Sequence, residues 1–235
     1  MENGRNLPSK PDLTVMIGLY GATPEQHEEL EDLRNAARSR GWWSAYRLPS
    51  WLHNYVGLEA DATRIRNFEV ELIPGLLQIP EYAREVHSLG PAVLAPEDIE
   101  LKVAARMKRQ ELLTGPNAVT YHAIISEAAL HRVKCTEYAD QQYRRLLDMT
   151  ERPNITILVL PFATRVHSMA GGFIILDFAA EISSSIAYFD NVPGGQLIHD
   201  SRDVAQLSDV YDELARQALS VEDTVAFITE WLTPR

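Results

Sequence analysis

Apolar residues recur at three- and four-residue intervals through the first half of the chain, and a two-residue alternation first appears near residue 118. The helical spacing begins with Leu13, Ile17 and Leu19, closed by Gly21. Thr23 caps the next helix, with Pro24 at its first position and Gln26 completing a capping box; Leu30, Leu33 and Ala37 form its apolar stripe, and Gly41 ends it. A further helix is expected over residues 58–71, with Leu58, Ala62, Ile65 and Val70 inward and Glu59, Asp61, Arg64 and Arg66 in solvent. Residues 72–84, L-I-P-G-L-L-Q-I-P-E-Y-A-R, interrupt that pattern, because Pro74 lacks an amide hydrogen and Gly75 lacks a side chain. Pro80 then opens a helix to residue 89. A longer one over 96–113 puts Ile99, Val103, Met107 and Gln110 on one face and Lys102, Arg106, Lys108 and Arg109 in a basic stripe.

From residue 118 to 125, Val119, Tyr121, Ala123 and Ile125 alternate as a strand does. A short helical turn over 126–133 and a helix to Thr150, capped by Thr136, follow. Strands are expected at 155–160, 172–179 and 184–189, with another at 197–199. Gly171-Gly172, Asn191 and Gly194-Gly195 mark turns between them, favouring hairpins and an antiparallel or mixed sheet. Val204, Leu207, Val210, Tyr211 and Leu214 give one closing helix its apolar face, and a capping box at Ser220 and Asp223 opens the last. The expected class is α+β: a helical N-terminal part, a small antiparallel or mixed sheet in the second half, and two C-terminal helices.

Composition narrows the function. The 235 residues carry a formal net charge of −11, which opposes binding to a phosphate backbone. The apolar runs are too short for a membrane-spanning helix, and residues 1–10 lack the apolar core of a signal peptide, so a cytoplasmic protein is expected. Cys135 is the single cysteine and the seven histidines are scattered, which leaves a metal site or cofactor without support. Trp42, Trp43, Tyr46 and Trp51 crowd into ten residues, a pattern that suits a hydrophobic clasp between two units.

No nucleotide-binding glycine loop, zinc-protease or nucleophile-elbow motif is present. Candidate chemistry sits instead at strand ends: Glu127 after the first strand, His167 between two strands, and Tyr188 and Asp190 at the end of another. Glu127, His167 and Asp190 would suit acid–base catalysis if they converged. Lining a ligand pocket or making structural hydrogen bonds are the other roles open to them.

Several motifs together resemble a known family. P-G-L-L-Q-I-P-E-Y-A at 74–83, preceded by Y-V-G-L-E-A-D-A at 55–62, is similar to the core signature of the C-terminal domain in Scr-type antitoxin-like transcriptional regulators. The likeness continues through A-R-M-K-R-Q-E-L-L at 105–113, I-S-E-A-A-L at 125–130, N-I-T-I-L-V-L-P at 154–161, H-S-M-A-G-G-F at 167–173 and A-L-S-V-E-D-T at 218–224. These are helix-turn-helix proteins of the xenobiotic-response-element class, whose C-terminal domain has no settled function. The resemblance implies a cytoplasmic regulator whose residues 44–235 bind a small molecule or a small partner protein, with a homodimer also open. Leu76, Leu77, Gln78 and Tyr82 would wall the pocket, and Arg106, Arg109, Glu127, His167 and Tyr188 would furnish it. E-N-G-R-N-L-P-S at 2–9 resembles the end of a recognition helix, so residues 1–43 are expected to hold only the remnant of the DNA-binding domain. Specific operator binding by this chain alone is then not expected. The alternative is a stand-alone, cofactor-independent enzyme of the cyclase or isomerase type derived from such a regulator.

Overall fold

The computed structural model describes residues 9–38, 42–46, 48–90, 94–115, 117–164, 171–179, 184–191 and 194–232. The chain divides into two compact units, Met1–Ala45 and Tyr46–Arg235. The first contains α1 (Lys10–Tyr20) and α2 (Pro24–Arg38). Ser9 and Asp12 cap α1 reciprocally and Gly21, in the left-handed region at φ 66°, stops it. At α2 the Gln26 side chain accepts the Thr23 amide while the Thr23 hydroxyl accepts the Gln26 amide, the expected capping box. Trp42 and Trp43 meet edge to face, 6.0 Å between centroids.

The second unit is α+β, as the periodicity implies. It contains α3 (Ser50–Asp61), β1 (Arg64–Glu69), α4 (Pro80–Ser88), α5 (Pro96–Arg109), β2 (Thr120–Ser126), α6 (Glu127–Lys134), α7 (Ala139–Thr150) and β3 (Ile155–Leu160). Then come β4 (Phe173–Asp177), β5 (Ile186–Asn191), β6 (Gly194–Ile198), α8 (Ser201–Gln217) and α9 (Val221–Trp231). The six strands form one mixed sheet in the order β3-β2-β1-β4-β5-β6. β1, β2 and β3 run parallel, joined by helical crossovers, whereas β4, β5 and β6 are antiparallel to their neighbours.

Three expectations are corrected. The helix expected over 58–71 is two elements: α3 ends at Asp61, and R-I-R-N-F-E forms β1, a central strand buried on both faces. Its polar residues find partners inside the protein. Arg66 donates two bonds to Asp177 and one to Ser208, and Arg64 also pairs with Asp177. Thr136 does not cap α7; its hydroxyl donates to the Val133 carbonyl at the end of α6. Gly194 and Gly195 lie within β6, paired with Asn191 and Asp190, rather than forming a turn.

Strand alternation divides the sheet into two unlike faces. Phe68, Ile124, Phe173, Ile175 and Ala187 point one way and pack on Val204, Tyr211 and Leu214 of α8. The opposite face carries Ile65, Asn67 and Glu69 of β1 and Ile186, Tyr188 and Asp190 of β5. It is a mixed apolar and polar surface, and it positions the site.

Candidate functional site

The proline-bounded turn at 73–79 is a corner braced by side-chain hydrogen bonds. Its Ile73 amide donates to the Tyr82 hydroxyl (3.1 Å), and the Ile73 carbonyl accepts from the Gln78 side chain (2.7 Å). Gln110 donates to the Gly75 and Gln78 carbonyls, while Gln142 donates to the Leu77 carbonyl and accepts the Ile79 amide. Leu76 and Leu77 are core residues at 3% and 0% exposure. Gln78 serves the site indirectly: its Oε1 accepts from Arg106 Nη1 at 2.6 Å, and the Arg106 guanidinium packs against Gly75.

α3 and α5 supply the next layer. Glu59 and Arg109, both buried, form a bidentate pair with two bonds of 2.7 Å, and the Tyr55 hydroxyl donates to the same carboxylate at 2.6 Å. Burial pulls the Arg109 guanidinium toward its neutral form, but the Glu59 carboxylate overrides this and raises its pKa. Burial and Glu59 together push the Tyr55 phenol well above its ordinary value. Tyr55 stacks on Tyr188 of β5, with centroids 4.1 Å apart, and lies beneath Arg109 at 5.3 Å. This connects the helical layer to the sheet.

The sheet contributes Asn67, Glu69, Tyr188 and Asp190. Asn67 donates to the Tyr121 hydroxyl, but its Oδ1 is buried without a partner among the described residues. The same holds for the Tyr188 hydroxyl and for Arg106 Nε. Burial, and then the nearby Asp190 carboxylate, push the Glu69 carboxyl up to about 7. Asp190, at the rim, is raised by desolvation despite Arg106 and Arg109. Arg106 is drawn down to about 10 by burial and by Arg109. The site thus sets two carboxyl groups and a phenol on one sheet face against the Arg106 guanidinium of α5, with the phenol hydroxyl and Arg106 Nε unpartnered among the described residues.

Tyr188 owes its place to Gly195. A Cβ at Gly195 would stand 2.2 Å from the Tyr188 hydroxyl and 2.3 Å from its ring, so only glycine lets the phenol lie there. Gly195→Ala is therefore expected to displace Tyr188 and cost about 1–3 kcal/mol as overpacking. A thermal melt and the near-ultraviolet tyrosine signal would detect it, and an unchanged melting temperature would contradict the contact.

Of the residues expected in a pocket, the structure brings Gln78, Arg106, Arg109, Tyr188 and Asp190 to this face. Leu76 and Leu77 lie in the core, and Tyr82 braces the turn. Glu127 makes its contacts elsewhere: one oxygen accepts the Phe162 amide at 2.7 Å and the other lies 3.1 Å from His131 Nε2. His167 lies outside the described residues. Beside Glu127 runs an open groove of about 580 Å³ lined by Leu72, Tyr82, Leu89, His131, Tyr138 and Phe162. Glu59, Glu69, Tyr55 and Asn67 were not anticipated. The signal for Asn67 and Glu69 was their two-residue spacing with Ile65, hidden among charges.

Comparison with known families bears on this arrangement. A family profile described as a domain of unknown function, DUF5753, matches residues 52–230. The chain belongs to that family. No curated protein matches the sequence. The DUF5753 match begins within α3 and encompasses Tyr55, Glu59, Glu69, Arg106, Arg109, Tyr188 and Asp190. The sheet-face site is therefore contained within the DUF5753 domain, and α1 and α2 precede it. Among the described residues of the chain, no helix is long and apolar enough to cross a membrane.

Proposed function

We propose that the DUF5753 domain of this chain is the small-molecule-sensing domain of a helix-turn-helix transcriptional regulator. One observation carries the proposal. The Tyr188 hydroxyl on the sheet face and Arg106 Nε on α5 are buried without partners among the described residues, beside two raised carboxyl groups. Each unmet buried polar group costs about 1–3 kcal/mol, so a folded protein retains such a set where a ligand can complete it. The motif resemblance supplies the regulatory half of the proposal.

A ligand regulates only by favouring one of two conformational states. Here it would bond to β1 and β5 below and to α5 above, drawing the helical cover onto the sheet. Native mass spectrometry of the purified full chain tests the binding step. A small-molecule adduct is expected on the wild type and is expected to be lost from a Glu69→Gln, Tyr188→Phe double variant. In the source organism, the same variant is expected to abolish the transcriptional response restored by the wild-type gene. An adduct retained by the variant, with its transcriptional response intact, would remove the proposal.

A second function is favoured by one specific group. Glu69, pushed to about 7 by burial and Asp190, is matched to proton transfer near neutral pH. This supports a cofactor-independent cyclase or isomerase, in which Glu69 moves a proton and Tyr188 orients the substrate. Conversion of the bound molecule by the wild type but not by Glu69→Gln would favour the enzyme over the sensor.

A further inference from the structure

The charges of the site do not balance. Glu59 and Arg109 neutralise each other at 2.7 Å. Among the described residues, Glu69 and Asp190 then face Arg106, which bonds to neutral Gln78, and Asp190 also feels the already paired Arg109. Among the described residues neither carboxylate makes an ion pair or a hydrogen bond, and Asp190 disfavours ionisation of Glu69 across the site. A proton resolves this at low pH, and a bound cation would resolve it at neutral pH.

The sheet carries both acids on one face. β4 lies between β1 and β5, pairing Phe68 with Phe173 on one side and Ile174 with Tyr188 on the other. Continued by one residue, the β1–β4 register sets Gly172 opposite Glu69, and continued by two residues, the β4–β5 register sets it opposite Asp190. The two acids therefore flank a position without a side chain, about 10 Å apart at the backbone, the width of two strand spacings. A Cβ at Gly172 would meet the Phe68 carbonyl at 2.8 Å and Glu69 Oε2 at 3.0 Å, so the Glu69 carboxylate reaches toward this floor. In the next column of the same row, Gly195 pairs with Asp190 and carries the unpartnered Tyr188 hydroxyl. Tyr188 is 97% buried by its 3% exposure, so its hydroxyl has no solvent route to satisfaction.

The opposite wall has the complementary chemistry. Arg106 Nε is an N–H donor unmet among the described residues, and its complement is an oxygen acceptor. We infer that the site binds a ligand of the aminoacyl class, its protonated amine between Glu69 and Asp190 over Gly172 and its adjacent carbonyl oxygen on Arg106 Nε–H. This rests on the sensing function proposed above and names its ligand class. The ammonium donates to both carboxylates, and Tyr188 bonds to the remaining polar group. A purely anionic ligand would gain Arg106 but meet two carboxylates, which disfavours it.

Because a proton and the amine compete for Glu69, affinity should fall as pH drops below about 7. The charged and titratable groups facing Glu69 are Asp190 on β5, Arg106 on α5, Tyr121 on β2 and Tyr82 on α4. Both tyrosines are held above their ordinary phenol values by burial, so neither titrates in this range.

Saturation-transfer NMR on the full chain tests the ligand class, with amides of the common amino acids, their N-acetyl forms and N-acetyl amino acids as probes. At least one amide with a free amine is expected to bind at millimolar concentration, and its N-acetyl form is not. Glu69→Gln and Asp190→Asn are each expected to weaken binding about ten- to a hundredfold, the range for losing one charged hydrogen-bond partner. A cooperative thermal melt of each variant would exclude misfolding, and if Glu69→Gln fails to fold, Asp190→Asn at the rim decides alone. Equal binding of the N-acetyl forms, indifference to both substitutions, or no amine bound would each overturn the inference. A neutral or anionic adduct seen by native mass spectrometry and lost in Tyr188→Phe would overturn the amine class while preserving the sensing function. No adduct and no bound probe would overturn both.

Discussion

Glu59→Ala is expected to destabilise the domain by about 3–5 kcal/mol, because it strands a buried guanidinium without its counter-charge. Glu59 is fully buried and receives three hydrogen bonds, two from Arg109 and one from Tyr55. Removing its carboxylate leaves Arg109 and the Tyr55 hydroxyl unpaired beneath α3 and α5. Total stability of a domain is about 5–15 kcal/mol, so the variant should lie close to unfolding at room temperature. Urea titration measures the loss. The double change Glu59→Leu with Arg109→Met is expected to recover most of it, since well-packed apolar groups replace a buried pair at little cost. A loss below about 1 kcal/mol for Glu59→Ala, the range of exposed pairs, would contradict the burial of this pair. The stacked Tyr55 and Tyr188 rings mean that the same variant should also loosen the site.

Glu69→Gln has the opposite sign. A carboxyl raised from 4.5 to about 7 on folding makes the folded state bind more protons than the unfolded state between those values. Stability contributed by this group therefore falls as pH rises from about 4.5 to about 7, and the deficit persists above that. Below 4.5 both states are protonated and the group contributes nothing. Glutamine stays neutral throughout, so the variant should match the wild type in acid and exceed it by about 1–3 kcal/mol above neutrality. Denaturant titrations of both proteins across this range isolate Glu69, because other titrating groups cancel in the difference. His87, which burial and the neighbouring arginines and Lys102 lower to about 3, is one such group. A constant difference across the range, or a less stable variant above neutral pH, would contradict the account. A residue whose ionisation weakens the fold while it faces unpaired polar groups has the profile of a functional acid.

Periodicity made much of the fold legible. β2 and β3 alternate or run apolar within a residue or two of their observed limits, and α8 and α9 show unbroken helical spacing. β1 was hidden because its alternation sorts Ile65 with Asn67 and Glu69, and Phe68 with Arg64 and Arg66. Both faces are polar in part, so neither shows an apolar stripe. The partners that allow this, Asp177 and Ser208, lie more than a hundred residues away in the chain. The site was legible where polar residues stood at strand ends or in a basic stripe, as with Tyr188, Asp190, Arg106 and Arg109. Glu59 and Glu69 were not, because an isolated acidic residue looks like a solvated one until its environment is known. The two glycines told the same story in reverse. Gly172 and Gly195 look like turn markers, yet Gly172 permits the close approach of the Phe68 carbonyl and Glu69, and Gly195 makes room for the Tyr188 side chain. The apolar turn at 73–79 proved to be a braced corner that fixes Arg106 through Gln78, so its link to the site is positional.

The central claim is that the sheet face beneath α3 and α5 holds the ligand. A crystal structure of the full chain with its co-purified small molecule tests this most directly. The account predicts density over Gly172, within hydrogen-bonding distance of Glu69 or Asp190 and of Arg106 Nε or the Tyr188 hydroxyl. A ligand seated instead in the groove between Tyr82 and Phe162, with the sheet face unchanged, would contradict it.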